Sequence, residues 1–97
     1  MGNIPNFGPE VIKGVAISTG VFFGFRNRTS SVRVRNVDAS DPLLYHFQIL
    51  SDASPFITLT SDEKEHPIVD SVMGIHVKSP AGVTTDFEVI AAYDYLR

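Results

Sequence analysis

Apolar and polar positions alternate along most of the chain, most sharply in its last quarter. Val72-Met73-Gly74-Ile75-His76-Val77-Lys78 and Phe87-Glu88-Val89-Ile90-Ala91-Ala92-Tyr93 carry a β-branched or aromatic residue at nearly every second position. Ser79 to Thr85, with Pro80 and Gly82, joins them, so the pattern predicts a β-hairpin. In that hairpin Met73, Ile75 and Val77 share a face with Phe87, Val89, Ala91 and Tyr93. An apolar face of this kind needs a second sheet to cover it.

The preceding residues supply that sheet. Val11 to Thr19 reads as a weak strand interrupted by Gly14, and Gly20-Val21-Phe22-Phe23-Gly24-Phe25 is the most apolar run. The glycines of that run predict a bulge or a close backbone approach. Its three phenylalanines exceed what one face of one strand can hold, so part of this surface is expected to meet another element or another subunit. Arg26 to Ser30 is a polar turn. Ser31 to Val37 alternates cleanly, with Val32 and Val34 inward and Arg33 and Arg35 outward. Asp38 to Pro42 is a turn by composition.

Leu43 to Leu50 reads as a strand with Leu43, Tyr45, Phe47 and Ile49 inward and His46 and Gln48 outward. Ser51 to Pro55 turns the chain, and Phe56 to Thr60 returns with Ile57 and Leu59 inward. Ser61 to Pro67 reads as a charged loop and Ile68-Val69 as a short strand. The total is seven or eight short strands bounded by turn residues, with no lasting 3.6-residue period. The fold class is therefore all-β: an antiparallel sandwich or small barrel over residues 11–97. Residues 1–10, with Gly2, Pro5, Gly8 and Pro9, form an extended arm anchored only by Ile4 and Phe7.

Composition adds three constraints. The 97 residues make one domain's worth of chain. No cysteine is present, which excludes disulfides and thiolate metal sites and fits a reducing compartment. Hydrophobic residues make up 43% and charged residues 20%, too little charge to cover a small domain, so exposed apolar area and docking on a larger surface are expected. No apolar run reaches membrane-span length. The start lacks the basic and apolar regions of a signal peptide, and Pro5-Asn6 does not suit myristoylation.

Charge is distributed unevenly. Residues 1–37 carry five basic side chains against Glu10, a net of +4, and residues 38–97 carry three against ten carboxylates, a net of −7. Such a split can close within the chain, between subunits, or on an oppositely charged scaffold.

Candidate chemistry is sparse. His46 and His76 on outward faces and His66 in a loop lack a third ligand at a diagnostic spacing, so solvated or subunit-contact roles are expected over zinc. Asp38, Asp41, Asp52, Asp62, Glu63 and Glu65 cluster in loops without the spacing of a calcium loop. Asp70, Ser71 and His76 have the residue types of a catalytic triad, but no nucleophile elbow surrounds Ser71. Asn27-Arg28-Thr29 matches the glycosylation sequon by chance. Arg26, Arg28, Arg33 and Arg35 beside Phe22, Phe23 and Phe25 could stack bases and neutralise phosphates, although the acidic chain disfavours nucleic acid.

From Val32 onward the chain resembles small β-sandwich virion proteins of tailed bacteriophages. The resemblance is carried by Val32-Arg33-Val34-Arg35-Asn36-Val37-Asp38-Ala39-Ser40, Leu44-Tyr45-His46-Phe47 and Phe56-Ile57-Thr58-Leu59. Gly74-Ile75-His76-Val77-Lys78-Ser79 and Asp86-Phe87-Glu88-Val89-Ile90-Ala91-Ala92-Tyr93 complete it. Glu63 to Pro67 departs from the Pro-Gly-Glu-like turn of such chains. The resemblance brings no catalytic residue or cofactor. It implies a structural or decorating role on a particle as a symmetric oligomer.

The expectation is a non-enzymatic virion protein, made in the host cytoplasm, that cements a capsid lattice as a trimer. Its partners would be the major capsid protein or other virion proteins, with no membrane. Its contact surface would be Ile4, Phe7, Phe22, Phe23, Phe25, Arg26, Arg28, Arg33 and Arg35. The alternative is a receptor- or carbohydrate-binding module of a tail or fibre, for which the loops offer no Trp and no Tyr.

Overall fold

The computed structural model describes residues 9–50 and 55–93, and among these described residues there are eight strands and no helix. They are β1 (Glu10–Ala16), β2 (Val21–Gly24), β3 (Ser31–Asn36), β4 (Leu43–His46), β5 (Ile57–Leu59), β6 (Glu65–Ile68), β7 (Gly74–Lys78) and β8 (Thr85–Ala92). They form two antiparallel four-stranded sheets, ordered β1-β8-β3-β6 and β2-β7-β4-β5. Neither sheet closes on itself, so of the two architectures expected the barrel is excluded and the arrangement is sandwich-like.

The predicted closing hairpin does not form. β7 lies in the second sheet between β2 and β4, and β8 lies in the first sheet between β1 and β3. The connection between them is an arch from one sheet to the other. Ser79 Oγ donates to Val83 O at 2.6 Å, and Gly82 adopts a left-handed φ of 82°. A neighbouring arch joins β1 to β2 through a turn in which Gly20 N–H donates to Ile17 O, with Gly20 at φ 79°. Ile17 O also accepts from Ser79 N–H, which ties the two arches together. Only β4 and β5 are chain neighbours within one sheet; the other six of the seven connections cross between sheets.

The two inward faces meet in one cluster. Val32, Val34, Phe87, Val89 and Ala91 of the first sheet and Leu43, Tyr45, Leu59, Ile75 and Val77 of the second are at most 2% exposed. Other inward assignments do not hold. Met73 is 50% and Ile49 74% exposed, because β7 begins only at Gly74 and β4 ends at His46. Ile57, at the start of β5, is 41% exposed. Val69, expected in a short strand with Ile68, lies just beyond β6 and is 90% exposed.

β1 runs through Gly14 without interruption and includes Glu10, expected in the arm; residues 1–8 of that arm lie outside the described residues. The last residues of the supposed charged loop, Glu65 to Pro67, belong to β6. Glu65 faces Arg35 in register, and Pro67, which lacks an N–H, is tolerated on an edge strand.

A buried corner links the sheets at the end of β3. Asn36 Nδ2 donates to Asp41 O and, 3.0 Å away, to Leu59 O of β5, while its Oδ1 accepts Asp38 N–H. Asp38 then accepts from Ser40 and Asp41 N–H through Oδ2 and from Asp86 N–H, in β8, through Oδ1.

Gly74 and Gly24 face each other across β2 and β7 but have different surroundings. A Cβ on Gly74 would lie 2.6 Å from Phe23 O and against the Phe22 ring, whereas a Cβ on Gly24 would meet nothing within 4 Å. Gly74→Ala is expected to cost about 1–3 kcal/mol by overpacking, and Gly24→Ala about zero or a slight gain. Denaturant midpoints of the two variants check this contrast.

Candidate interaction surface

Two expected contact residues, Ile4 and Phe7, lie outside the described residues. Of the remaining aromatics, Phe25 is 7% exposed and belongs to the core. Phe23 packs against that core, its ring 5.9 Å from Phe87. Phe22 is on the opposite, outer face of β2, where its ring covers Gly74. The surplus of phenylalanine is thus divided between both faces of one strand and the core below it.

The arginines are engaged within the chain. Arg33 makes a two-pronged contact with Glu65 at 3.0 and 2.9 Å. Arg35 pairs with Glu88 and, at 3.5 Å, with Glu65. Lys13 Nζ lies 3.6 Å from the other oxygen of Glu88. Lys13, Glu88, Arg35 and Glu65 stand opposite one another in register, so a row of alternating charge crosses all four strands of the first sheet. Much of the charge split is therefore neutralised within the chain.

Arg26 lies over the Tyr93 ring, 5.2 Å from its centroid, and its Nε is 3.5 Å from Glu10. The Tyr93 hydroxyl donates to the same carboxylate. Burial pushes the Glu10 carboxyl up, but the Tyr93 hydroxyl and the Arg26 N–H and guanidinium outweigh it and hold the group below its ordinary value. Arg28 is exposed and reaches Ser71 O at 3.4 Å.

His46 and His76 are register partners on the outer face of the second sheet. His76 is not solvated as its position suggested: it is 7% exposed, its Nδ1 accepts Leu50 N–H at 3.0 Å, and Phe56 packs edge-on to its ring. Leu50 and Phe56, from either side of residues 51–54, thus cover it. His46 Nδ1 accepts Gln48 N–H at 3.2 Å. His66 lies in β6, and its Nδ1 is hydrogen-bonded to the Tyr45 hydroxyl at 2.9 Å, with its Nε2 3.4 Å from Glu63. Burial, then the Glu63 charge, pushes the Tyr45 phenol up to about 12. This chain joins β4 of one sheet to β6 of the other.

Among the described residues no three or more His, Asp or Glu side chains converge as a metal site. Asp70 accepts the N–H of Ser71, whereas His76 Nδ1 accepts from Leu50 N–H, so these bonds do not join His76 to the other two. Asp38 and Glu63 organise turns, and Asp52 lies outside the described residues. Thr29 of the sequon is 4% exposed and donates its hydroxyl to Asp70 O.

What the sequence reading missed is an apolar stripe on edge strand β1. Val11 is 50%, Val15 54% and, just past the strand, Ile17 48% exposed, with Val37 nearby at 50%. Its signal is the odd-position alternation of Val11, Lys13, Val15 and Ile17, obscured by treating Gly14 as a break. A shallow hollow of about 280 Å³ lies beside it, lined by Lys13, Gly14, Val37, Asp86, Phe87 and Glu88.

Comparison of the chain with protein-family models, curated proteins and solved structures finds no match. The likeness to phage virion sandwiches accordingly rests on sequence pattern alone.

Acid sensitivity follows from the turn at Asp38. The N–H groups of Asp41, Asp86 and Ser40 hold its carboxyl below the ordinary value of 3.8. A carboxyl lowered by folding contributes stability that is fully present above its unfolded pKa and lost as pH falls through its folded one. Glu63, held down first by Thr60 N–H and then by His66, and Glu65, held down first by Arg33, add in the same direction. Thermal melts from about pH 5 to about pH 2 should show Tm falling. Asp38→Asn should melt lower near neutrality and lose less on acidification; an unchanged acid dependence would discount the turn.

Proposed function

We propose that this chain is a non-enzymatic structural protein of a tailed-bacteriophage virion, a decoration or cement subunit that stabilises the shell by contacts across subunits. The observation that carries the reading is the sequence pattern of Val32 to Ser40, Gly74 to Ser79 and Asp86 to Tyr93. Two structural features are compatible with it. Asn36, Asp38, Arg33, Arg35, Glu65 and Glu88 are committed to turns, ion pairs and bonds between the sheets. Large apolar side chains stay exposed on several elements, among them Val11, Val15, Ile17 and Met73. At about 25 cal/mol per Å² of apolar surface, modest contacts repeated by lattice symmetry add up to substantial stabilisation of a shell. The partner would be the major capsid protein or another virion protein, and the site of action the virion.

The arm tests this reading. Glu10 anchors Tyr93 and Arg26, so a truncation should stop before β1. A chain lacking residues 1–8 is expected to keep its thermal midpoint and to lose at least tenfold in affinity for particles stripped of it. Undiminished binding would remove the arm, Ile4 and Phe7 included, from the contact surface. Binding to a glycan array with no affinity for particles would favour a receptor-binding module.

A further inference from the structure

The two sheets have four edges, and they are not equally protected. β5 has three residues and β2 four, while β6 carries Pro67, which offers no N–H. β1 has seven residues, no proline and, among the described residues, a hydrogen-bonded neighbour on one side only. Its outer face shows Val11 and Val15, with Ile17 beyond, each about half exposed. A long apolar edge of this kind is a template for strand addition. Lys13 is the only charged side chain in the middle of it, with its side chain 72% exposed.

We propose that β1 pairs antiparallel with β1 of a second copy about a two-fold axis at Gly14, joining two first sheets into one of eight strands. Facing strands must present like faces on the same side, so only registers centred on Ile12, Lys13 or Gly14 keep most of β1 paired. Charge decides among them. Centring on Lys13 sets the two lysines directly opposite each other, which is destabilising. Centring on Ile12 sets Lys13 against Val11 of the second copy, whose own neighbour is Ile90, so no carboxylate is in reach.

Centring on Gly14 sets Lys13 against the second copy's Val15, whose neighbour in β8 is the second copy's Asp86. Asp86 makes no ion pair among the described residues. The Lys13 and Asp86 Cα atoms of the two copies are then about 10 Å apart, a gap that the two side chains can span. The alternating row Glu65, Arg35, Glu88, Lys13 continues into the second copy's Asp86, and the two-fold axis repeats the contact. The same register pairs Val11 with Ile17 on the outer face and Ile12 with Ala16 on the inner one. This contact does not depend on a virion role, and it closes as a dimer where the expected cement subunit is a trimer.

Light scattering over a concentration series of the full chain is expected to give twice the chain mass. Val15→Lys sets a cation against Lys13 of the second copy at a half-exposed position and is expected to halve that mass with an unchanged circular dichroism spectrum. Because the chain has no cysteine, cross-linking reads the register. Lys13→Cys/Val15→Cys should oxidise to a covalent dimer, since directly facing strand positions meet disulfide geometry, while Lys13→Cys alone should not. A monomer or trimer at all concentrations, a Val15→Lys dimer, a double variant that stays uncross-linked, or cross-linking by Lys13→Cys alone would each overturn the proposal.

Discussion

Burial of one sheet's apolar face against the other is the interaction on which the rest of this structure depends. Six of its seven connections cross between sheets, so neither sheet can assemble from a continuous piece of chain. Ile75 and Val77 of β7 and Phe87 and Val89 of β8 adjoin in sequence yet enter the same core from opposite sides. A strand of either sheet gains its hydrogen-bonded neighbours mostly through contacts distant in the chain. Such non-local topologies fold slowly compared with helical bundles, because loop closure precedes the burial that rewards it. Polar links reinforce the apolar contact at defined places: Asn36 to Leu59, Thr85 to Pro42, and Tyr45 to His66.

The surface follows from the same arrangement. Arg33 and Arg35 alternate with Val32 and Val34, and crossing the chain back and forth brings Glu65 and Glu88 to either side of them. Exposed pairs of this kind each contribute little to stability. Their consequence is register, since a slip of one residue in β3 would point both arginines into the core. It also leaves few uncompensated charges on the outer face of the first sheet, with the apolar stripe of β1 beside the row.

The alternation of Val32 and Val34, of Leu43 and Tyr45, and of Phe87, Val89 and Ala91 was legible in the sequence because one face of each strand is solvated. Pairing was not legible. Alternation shows which face is apolar but not whether the next strand turns back beside it or arches to the opposite sheet. That choice lies in Ser79 Oγ, Gly82 and the bond from Ser79 to Ile17, none of which has a period. Strand ends failed where single apolar residues are simply exposed, as at Ile49, Val69 and Met73. His76 failed because its cover comes from Leu50 and Phe56, on either side of residues 51–54, a contact no alternation encodes. Among the proposed contact residues, the four arginines were recognisable as a group, but the carboxylate partners of Arg26, Arg33 and Arg35 were not. The stripe on β1 was present in the odd positions and hidden by Gly14.

A small all-β chain that pairs most of the charges of its first sheet within its own architecture, and leaves apolar side chains at its edge, is suited to act through contacts. The virion reading gives those contacts a lattice to repeat on. Quantitative mass spectrometry of purified particles against the major capsid protein tests it most directly. The account predicts the chain on the shell, in fixed ratio to the capsid lattice. A few copies confined to one vertex, or none on the particle, would contradict it.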